Sequence, residues 1–339
     1  MDYTVLLFGF LFGFAMQYAN LNKFNTISGM ATLEDYTMAK TMGFAIGLGA
    51  IIIALDVGLG FANYHVKPLI PIANSVGGLI FGVGMAILGY CPGTLPISLG
   101  QGALDALVGI IGGLFGGWIF TINYESIAPY FGTNYGPISL YSLLEGKPIV
   151  FYALTILFGC SLMYIAFKLD DLEGRKNKKW LITGLAFALI NGIMLLNVVF
   201  SRPIGASTAY PYLADIISND VNNTYFKMIS GPGSWELMFL VGAFFAGLLP
   251  ALYNKSYRLS FIQERWQHYF GSNLWKRLIW AFLGGFLLIF GARVAGGCAS
   301  GHILSGVMQM GIGSLVFALF TFIAFIITGK YFYKSSFGK

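Results

Sequence analysis

The polar residues of this chain fall in bunches, and between the bunches run long, even apolar stretches. Nine such stretches lie at residues 3–19, 41–60, 72–90, 97–120, 148–168, 181–199, 234–253, 278–296 and 302–329. A helix rises about 1.5 Å per residue, so each is long enough to cross the roughly 30 Å of hydrocarbon in a bilayer. The runs are continuous rather than alternating, which selects helices over a β-barrel. The pattern predicts an all-α polytopic membrane protein, a single membrane domain over residues 1–339 with about nine transmembrane helices. The opening "MDYTVLLFGFLFGFAMQYA" lacks the basic flank of a secretory signal and reads as the first span. Two connecting segments, 20–40 and 201–220, carry short, weakly apolar stretches rich in small residues. Both are expected to be short re-entrant helices, because irregular backbone at membrane depth is tolerated where protein or a cavity shelters it.

Composition agrees with this reading. The chain is 57% hydrophobic and only 10% charged, against about a quarter charged in an ordinary soluble domain. The net charge of +6 does not imply nucleic acid, because the basic residues sit in short loops, where they orient membrane proteins. Lys168, Arg175, Lys176, Lys178 and Lys179 crowd one loop; Lys255, Arg258, Arg265, Lys276 and Arg277 crowd another; residues 121–146 hold no lysine or arginine. The first two segments are expected in the cytoplasm and the third outside. Counting spans from there predicts the N-terminus outside and the C-terminal "GKYFYKSSFGK" in the cytoplasm.

Three cysteines are present, Cys91, Cys160 and Cys298, with no C-x-x-C pair. That spacing argues against a disulfide scaffold or a zinc site. Cys91 sits in "GYCPGT" and Cys298 in "GGCASGH", turns made of helix breakers between apolar runs. Gly84 and Gly291 each precede their cysteine by seven residues, and Gly89 and Gly296 by two, so both pairs share an offset of 207. Upstream, the first span followed by Lys23 parallels span 181–199 followed by Arg202. Cys91 follows a span that runs inward and Cys298 one that runs outward. The expected plan is an inverted 4+1+4 repeat: residues 1–122, a linker helix 148–168, and residues 181–330. Inverted repeats of this kind characterise transporters, whose sites lie at the repeat interface.

The chemistry of the two turns points to an anion path. A thiol is a soft, weak hydrogen-bonding group, suited to a large sulfur-bearing ion that must enter and leave. Lys23, Arg202 and Arg293 supply positive charge, and an arginine inside a span is a functional-site hypothesis by default. The candidate pathway comprises Cys91, Cys298, Lys23, Arg202, Arg293 and His302 with the turn residues Gly89, Tyr90, Pro92, Gly93, Thr94, Gly297, Ser300 and Gly301. His302 is balanced between capping the last helix and binding the anion. Cys160 is expected to be an ordinary core residue, and Asp105 to hydrogen-bond between helices. No Walker A, H-E-x-x-H or dinucleotide fingerprint is present, so no cofactor is expected and the chain does not read as an enzyme. A membrane thiol oxidoreductase is the alternative class, but it normally needs a paired C-x-x-C.

"GYCPGT", "GGCASGH" and "SRPIGASTAYPYLAD" resemble the signature stretches of the YeeE/YedE family of sulfur transport membrane proteins. The resemblance covers essentially the whole chain. It implies an inner-membrane protein of nine spans plus re-entrant helices around an hourglass-shaped centre, taking up thiosulfate or a related inorganic sulfur anion through a relay of cysteines. It also implies a small cytoplasmic sulfur-carrier protein as a partner, and selenium species as an alternative cargo. Cys91 and Cys298 match two of the family's pathway cysteines. A third, usual near the end of the first span, is missing here, where Gln17, Asn20, Asn22 and Asn25 stand instead.

Overall fold

The computed structural model describes residues 3–174 and 177–334. Met1, Arg175, Lys176 and Lys339, which entered the topology argument above, lie outside the described residues. The chain runs α1 (Thr4–Tyr18), α2 (Phe24–Ala31), α3 (Thr37–Gly58), α4 (Pro71–Leu88), α5 (Thr94–Gly100), α6 (Leu104–Ile122), α7 (Tyr124–Ile127), α8 (Leu140–Leu143), α9 (Pro148–Glu173), α10 (Lys179–Leu195), α11 (Ala209–Ile217), α12 (Thr224–Tyr253), α13 (Glu264–Phe270), α14 (Leu274–Val294), a π-helical segment Ala299–Gly306, and α15 (Ile312–Lys334). Among the described residues there are isolated β-bridges but no strand. Seven helices are long and apolar enough to cross a membrane: α3, α4, α6, α9, α12, α14 and α15. The first and sixth expected spans appear as shorter apolar helices, α1 and α10.

Two expected boundaries are corrected. The stretch 97–120 is not one span: α5 ends at Gly100, Gly102 takes φ +95°, and α6 begins at Leu104. A positive φ is cheap for glycine and ends a helix sharply. The stretch 302–329 is likewise divided, since the π-helical segment closes before Met310, at φ +54°, and α15 starts at Ile312. Hydropathy alone hides both breaks because each holds a single uncharged polar residue, Gln101 or Gln309, among apolar or small ones. The expected re-entrant segments contain short helices, α2 and α11, with Leu33 (φ +62°) and Asn219 (φ +58°) two residues past their ends.

The packing is reciprocal. Helix α1 lies on α12 and α10 on α3; α4 lies on α15 and α14 on α6; α4 and α14 cross one another. The matched glycines lie at that crossing. A Cβ on Gly84 would stand 2.4 Å from the Leu288 nitrogen and 2.9 Å from the Gly284 carbonyl oxygen. A Cβ on Gly291 would stand 2.5 Å from the Phe81 nitrogen and 2.8 Å from the Gly77 carbonyl oxygen. Residues 77, 81 and 84 therefore meet residues 284, 288 and 291, the same positions displaced by 207. Small residues let backbones approach in this way where no hydrophobic drive pulls helices together.

Candidate functional site

The first cysteine turn is built from the end of α4. Gly89 closes the helix in the left-handed region at φ +74°, which turns the chain inward at no steric cost. Cys91 is 7% exposed. Its N–H donates to the Thr94 hydroxyl at 2.8 Å, that hydroxyl donates back to the Cys91 carbonyl at 3.0 Å, and the Thr94 and Leu95 N–H groups reach the same carbonyl. These bonds satisfy the turn and start α5. From α11, Tyr210 donates to the Pro92 carbonyl at 2.9 Å. Gly93 leaves its α-carbon facing Phe12 and Ala206.

The second turn repeats the device. Gly296 takes φ +75° after α14, and Cys298, 1% exposed, opens the π-helical segment. Wide π turns are frequent at functional sites. The Cys298 thiol lies 3.1 Å from the Ser300 hydroxyl. Cys91, Cys298 and Tyr210 are neighbours, with Tyr210 bonded to the turn that carries Cys91. All three belong to one buried core with Ile204 and Ala206.

Around Cys298 the structure gathers several of the predicted residues. Arg293, in the last turn of α14, donates to the hydroxyls of Thr208 (3.1 Å), Ser207 and Tyr225 (3.4 Å). Arg202 pairs with Glu236 at 3.0 Å and lies over the Trp235 ring at 4.7 Å. Lys67 donates to the Gly296 carbonyl at 2.8 Å, and Gly297 and Gly301 leave room for its side chain. Burial pulls the Lys67 ammonium below its usual pKa, with Glu236 opposing the shift and Arg293 and Arg202 adding to it. Burial also lowers the nearby His65, with Lys67 and Arg202 adding to the shift, as a basic environment requires. His302 is engaged at both ring nitrogens: Nε2 faces the Ala295 carbonyl at 3.0 Å and Nδ1 faces Ser314 at 2.9 Å. A carbonyl only accepts, so Nε2 carries the proton and Nδ1 accepts from serine. These bonds fit the capping role, tying the turn to α15.

Lys23 stands elsewhere. At the N-cap of α2 it donates to Gln101 at 2.5 Å; Asn22 donates to the same Gln101 oxygen at 2.9 Å and to Ser98 at 3.2 Å. Lys23, Asn25, Tyr90, Ser98 and Gln101 line a cavity of about 530 Å³. A neighbouring cavity of about 400 Å³ shares Lys23 and Gln101 and reaches Pro250 and Asn254. Glu236 and Pro250 are 14 residues apart on α12, so the two basic regions lie about 21 Å apart along that helix. Tyr90, the chain neighbour of Cys91, lines the Lys23 cavity.

A buried network braces the first turn. Tyr90 donates to both Asp105 oxygens at 3.3 Å, Gln263 donates at 3.1 Å, and Arg277 closes a salt bridge at 2.7 Å with both partners fully buried. Asp105 thus joins helices, as expected. Arg277, assigned above to a loop, belongs instead to the first turn of α14 and to this core. Cys160 is also corrected: it is exposed on α9, which packs against α3 and presents most of its surface outward.

Lys67, Glu236, Tyr210 and Gln101 were not predicted from sequence. Glu236 carried a usable signal, since a carboxylate inside an apolar span is expensive and usually functional. Lys67 and Gln101 carried none beyond their residue type.

Asp215, on α11, is fully buried and neither carboxylate oxygen reaches hydrogen-bonding geometry. Burial raises its pKa from 3.8 to about 7; Thr121 and Asn223 soften the shift and Asp220 adds to it. A raised carboxyl holds its proton more tightly when folded, so unfolding releases it. Stability should fall as pH climbs from about 4 to about 7 and level off above, a loss of a few kcal/mol. Thermal unfolding in detergent should show the wild type losing stability from pH 5 to pH 8, and Asp215→Asn flat and more stable at pH 8.

The sulphur transport family matches residues 23–327, which include both cysteine turns and all the basic residues just described. The chain belongs to that family. Among its relatives is a protein named thiosulfate transporter TsuA from Spirochaeta thermophila, 24% identical over 94% of this chain and 96% of that one. Another, of the same name from Escherichia coli, is 20% identical over 88% of this chain and 85% of that one. The sulfur-transport resemblance read from "GYCPGT" and "GGCASGH" is therefore correct. The protein is a transporter and not an enzyme.

Proposed function

We propose that this family member takes up thiosulfate or a closely similar inorganic sulfur anion across the cell's inner membrane, passing it between Cys298 and Cys91. The observation that carries the reading is the pair of buried thiols on two alike glycine turns, with Lys67, Arg202 and Arg293 beside one turn and the Lys23 cavity beside the other. Basic residues draw the anion in at one side. The thiols offer contacts soft enough to let it go. Lys23 and the amides of Asn22 and Gln101 receive it, standing where relatives of the resembled family carry a third cysteine. The names of the two thiosulfate transporters support this choice of cargo over a selenium species.

The reading includes nine spans, with α1 and α10 counted as the short ones, and an inverted repeat about the α4–α14 crossing. The reciprocal contacts of Gly84 and Gly291 support it. The N-terminus lies outside and the C-terminus in the cytoplasm, so the Lys23 cavity opens inward, where a small sulfur-carrier protein accepts the ion. Cysteines introduced by Asn134→Cys and Asn177→Cys test the orientation: an impermeant thiol reagent on intact cells should label the first and spare the second. Uptake of labelled thiosulfate, sulfite, sulfate and selenite into vesicles of purified protein tests the cargo. Thiosulfate should enter fastest, and a protein that moves only selenite would overturn the assignment.

A further inference from the structure

The Arg202 side of the site holds one carboxylate among its cations. Glu236 projects from the apolar helix α12 and is 4% exposed. Its Oε1 accepts from the Arg202 guanidinium at 3.0 Å and from the Thr208 hydroxyl at 3.1 Å; its Oε2 accepts from the Thr208 N–H at 2.6 Å. Thr208 is the N-cap of the nine-residue helix α11, so the carboxylate sits on the positive end of that helix. Arg293 binds the other side of the same Thr208 hydroxyl, and its buried Nε has no partner. Lys67, bonded to the Gly296 carbonyl at 2.8 Å, lies within the field of Glu236, Arg293 and Arg202. A guanidinium, a hydroxyl and a helix N-terminal amide are the donors that recognise an oxyanion. Here they are already spent on an oxyanion belonging to the protein.

We propose that Glu236 is a tethered competitor for the transported anion: its carboxylate occupies the entry site, and the incoming ion displaces it from Arg202 and Thr208. This rests on the anion-uptake reading above and adds what sets the charge and the release of the ion. With Lys67 protonated, three cations and one carboxylate leave two positive charges, which one dianion neutralises. Without Glu236 the site would carry three positive charges and hold a dianion too firmly for transfer to the thiols. A competitor that fills the site most of the time lowers apparent affinity by the fraction of time the site stands free. When the ion moves on toward Cys298, the carboxylate returns and closes the site behind it.

The test is thiosulfate uptake into vesicles, measured as half-saturating concentration and maximal rate. Glu236→Gln keeps the side-chain shape and removes the competing charge. It should lower the half-saturating concentration about fivefold or more and lower the maximal rate as well. Glu236→Asp keeps the charge and should stay near wild type in affinity. A second variant reaches the same carboxylate without altering any charge: a Cβ on Gly205 would stand 2.4 Å from Glu236 Oε1, the far end of a flexible side chain. Gly205→Ala should therefore push the carboxylate off Arg202 and lower the half-saturating concentration too. An unchanged or raised half-saturating concentration in both Glu236→Gln and Gly205→Ala overturns the competitor role while leaving uptake itself intact. A wild type that takes up no thiosulfate overturns the uptake reading first, and this inference with it.

Discussion

Cys91→Ser and Cys298→Ser should each cut the initial rate of thiosulfate uptake about tenfold or more, while Cys160→Ser leaves it within twofold. Tenfold in rate corresponds to about 1.4 kcal/mol in the barrier, a modest demand on a group that touches the ion. The two buried thiols occupy turns satisfied without them: the Thr94 hydroxyl and N–H close the first, and the His302 N–H reaches the Cys298 carbonyl at 2.7 Å in the second. Serine is nearly the same size, so packing should survive. A hydroxyl is the stronger donor and acceptor, and it would hold the ion or a water longer than transfer allows. Cys160 is exposed on α9, far in contact terms from either turn. The comparison needs equal amounts of each variant in the membrane. Normal uptake by both turn variants alongside a damaged Cys160→Ser would remove the thiols from the path.

The largest expected effect on stability is at the Asp105–Arg277 pair. Both side chains are fully buried, and Arg277 makes two bonds to Asp105 Oδ2, at 2.7 and 3.1 Å, plus one to the Leu88 carbonyl. Its guanidinium lies over both the Phe24 and Trp266 rings, 4.5 and 4.7 Å from their centroids. Asp105→Ala leaves that cation buried without its counter-charge, which costs about 3–5 kcal/mol. The midpoint of thermal unfolding in detergent should drop by roughly 4–7 °C. The double variant Asp105→Leu with Arg277→Met should recover much of that loss, because it buries no charge at all, though Tyr90 then lacks its acceptor. A double variant as unstable as Asp105→Ala would mean the network contributes through geometry rather than through charge balance. The pair also bears on function, since Tyr90 precedes Cys91 and is held by Asp105.

Sequence alone determined the solvent of this protein and the glycine turns that carry Cys91 and Cys298. Long apolar runs report a one-dimensional property, the medium each segment lies in, and seven of the nine runs became helices of spanning length. The glycines before Cys91 and Cys298 were equally legible, because a left-handed turn leaves few other residue choices; Gly89 and Gly296 adopt φ +74° and +75°. Other features were decided only by the tertiary structure. Hydropathy does not mark Leu104 as the true start of α6, since the break before it carries no charge and only one polar residue, Gln101. Arg277 reads as one more loop cation until the fold brings it to Asp105, 172 residues away in the chain. Lys67 reads as an ordinary connector lysine until α14 ends beside it and Gly296 offers a carbonyl. Cys160 reads as core because its run is apolar, yet apolar residues in a membrane face lipid as readily as protein. In a bilayer the hydrophobic pattern says that a residue is out of water. Which residues face one another is fixed by close packing of helix on helix, and a charge finds its partner only there.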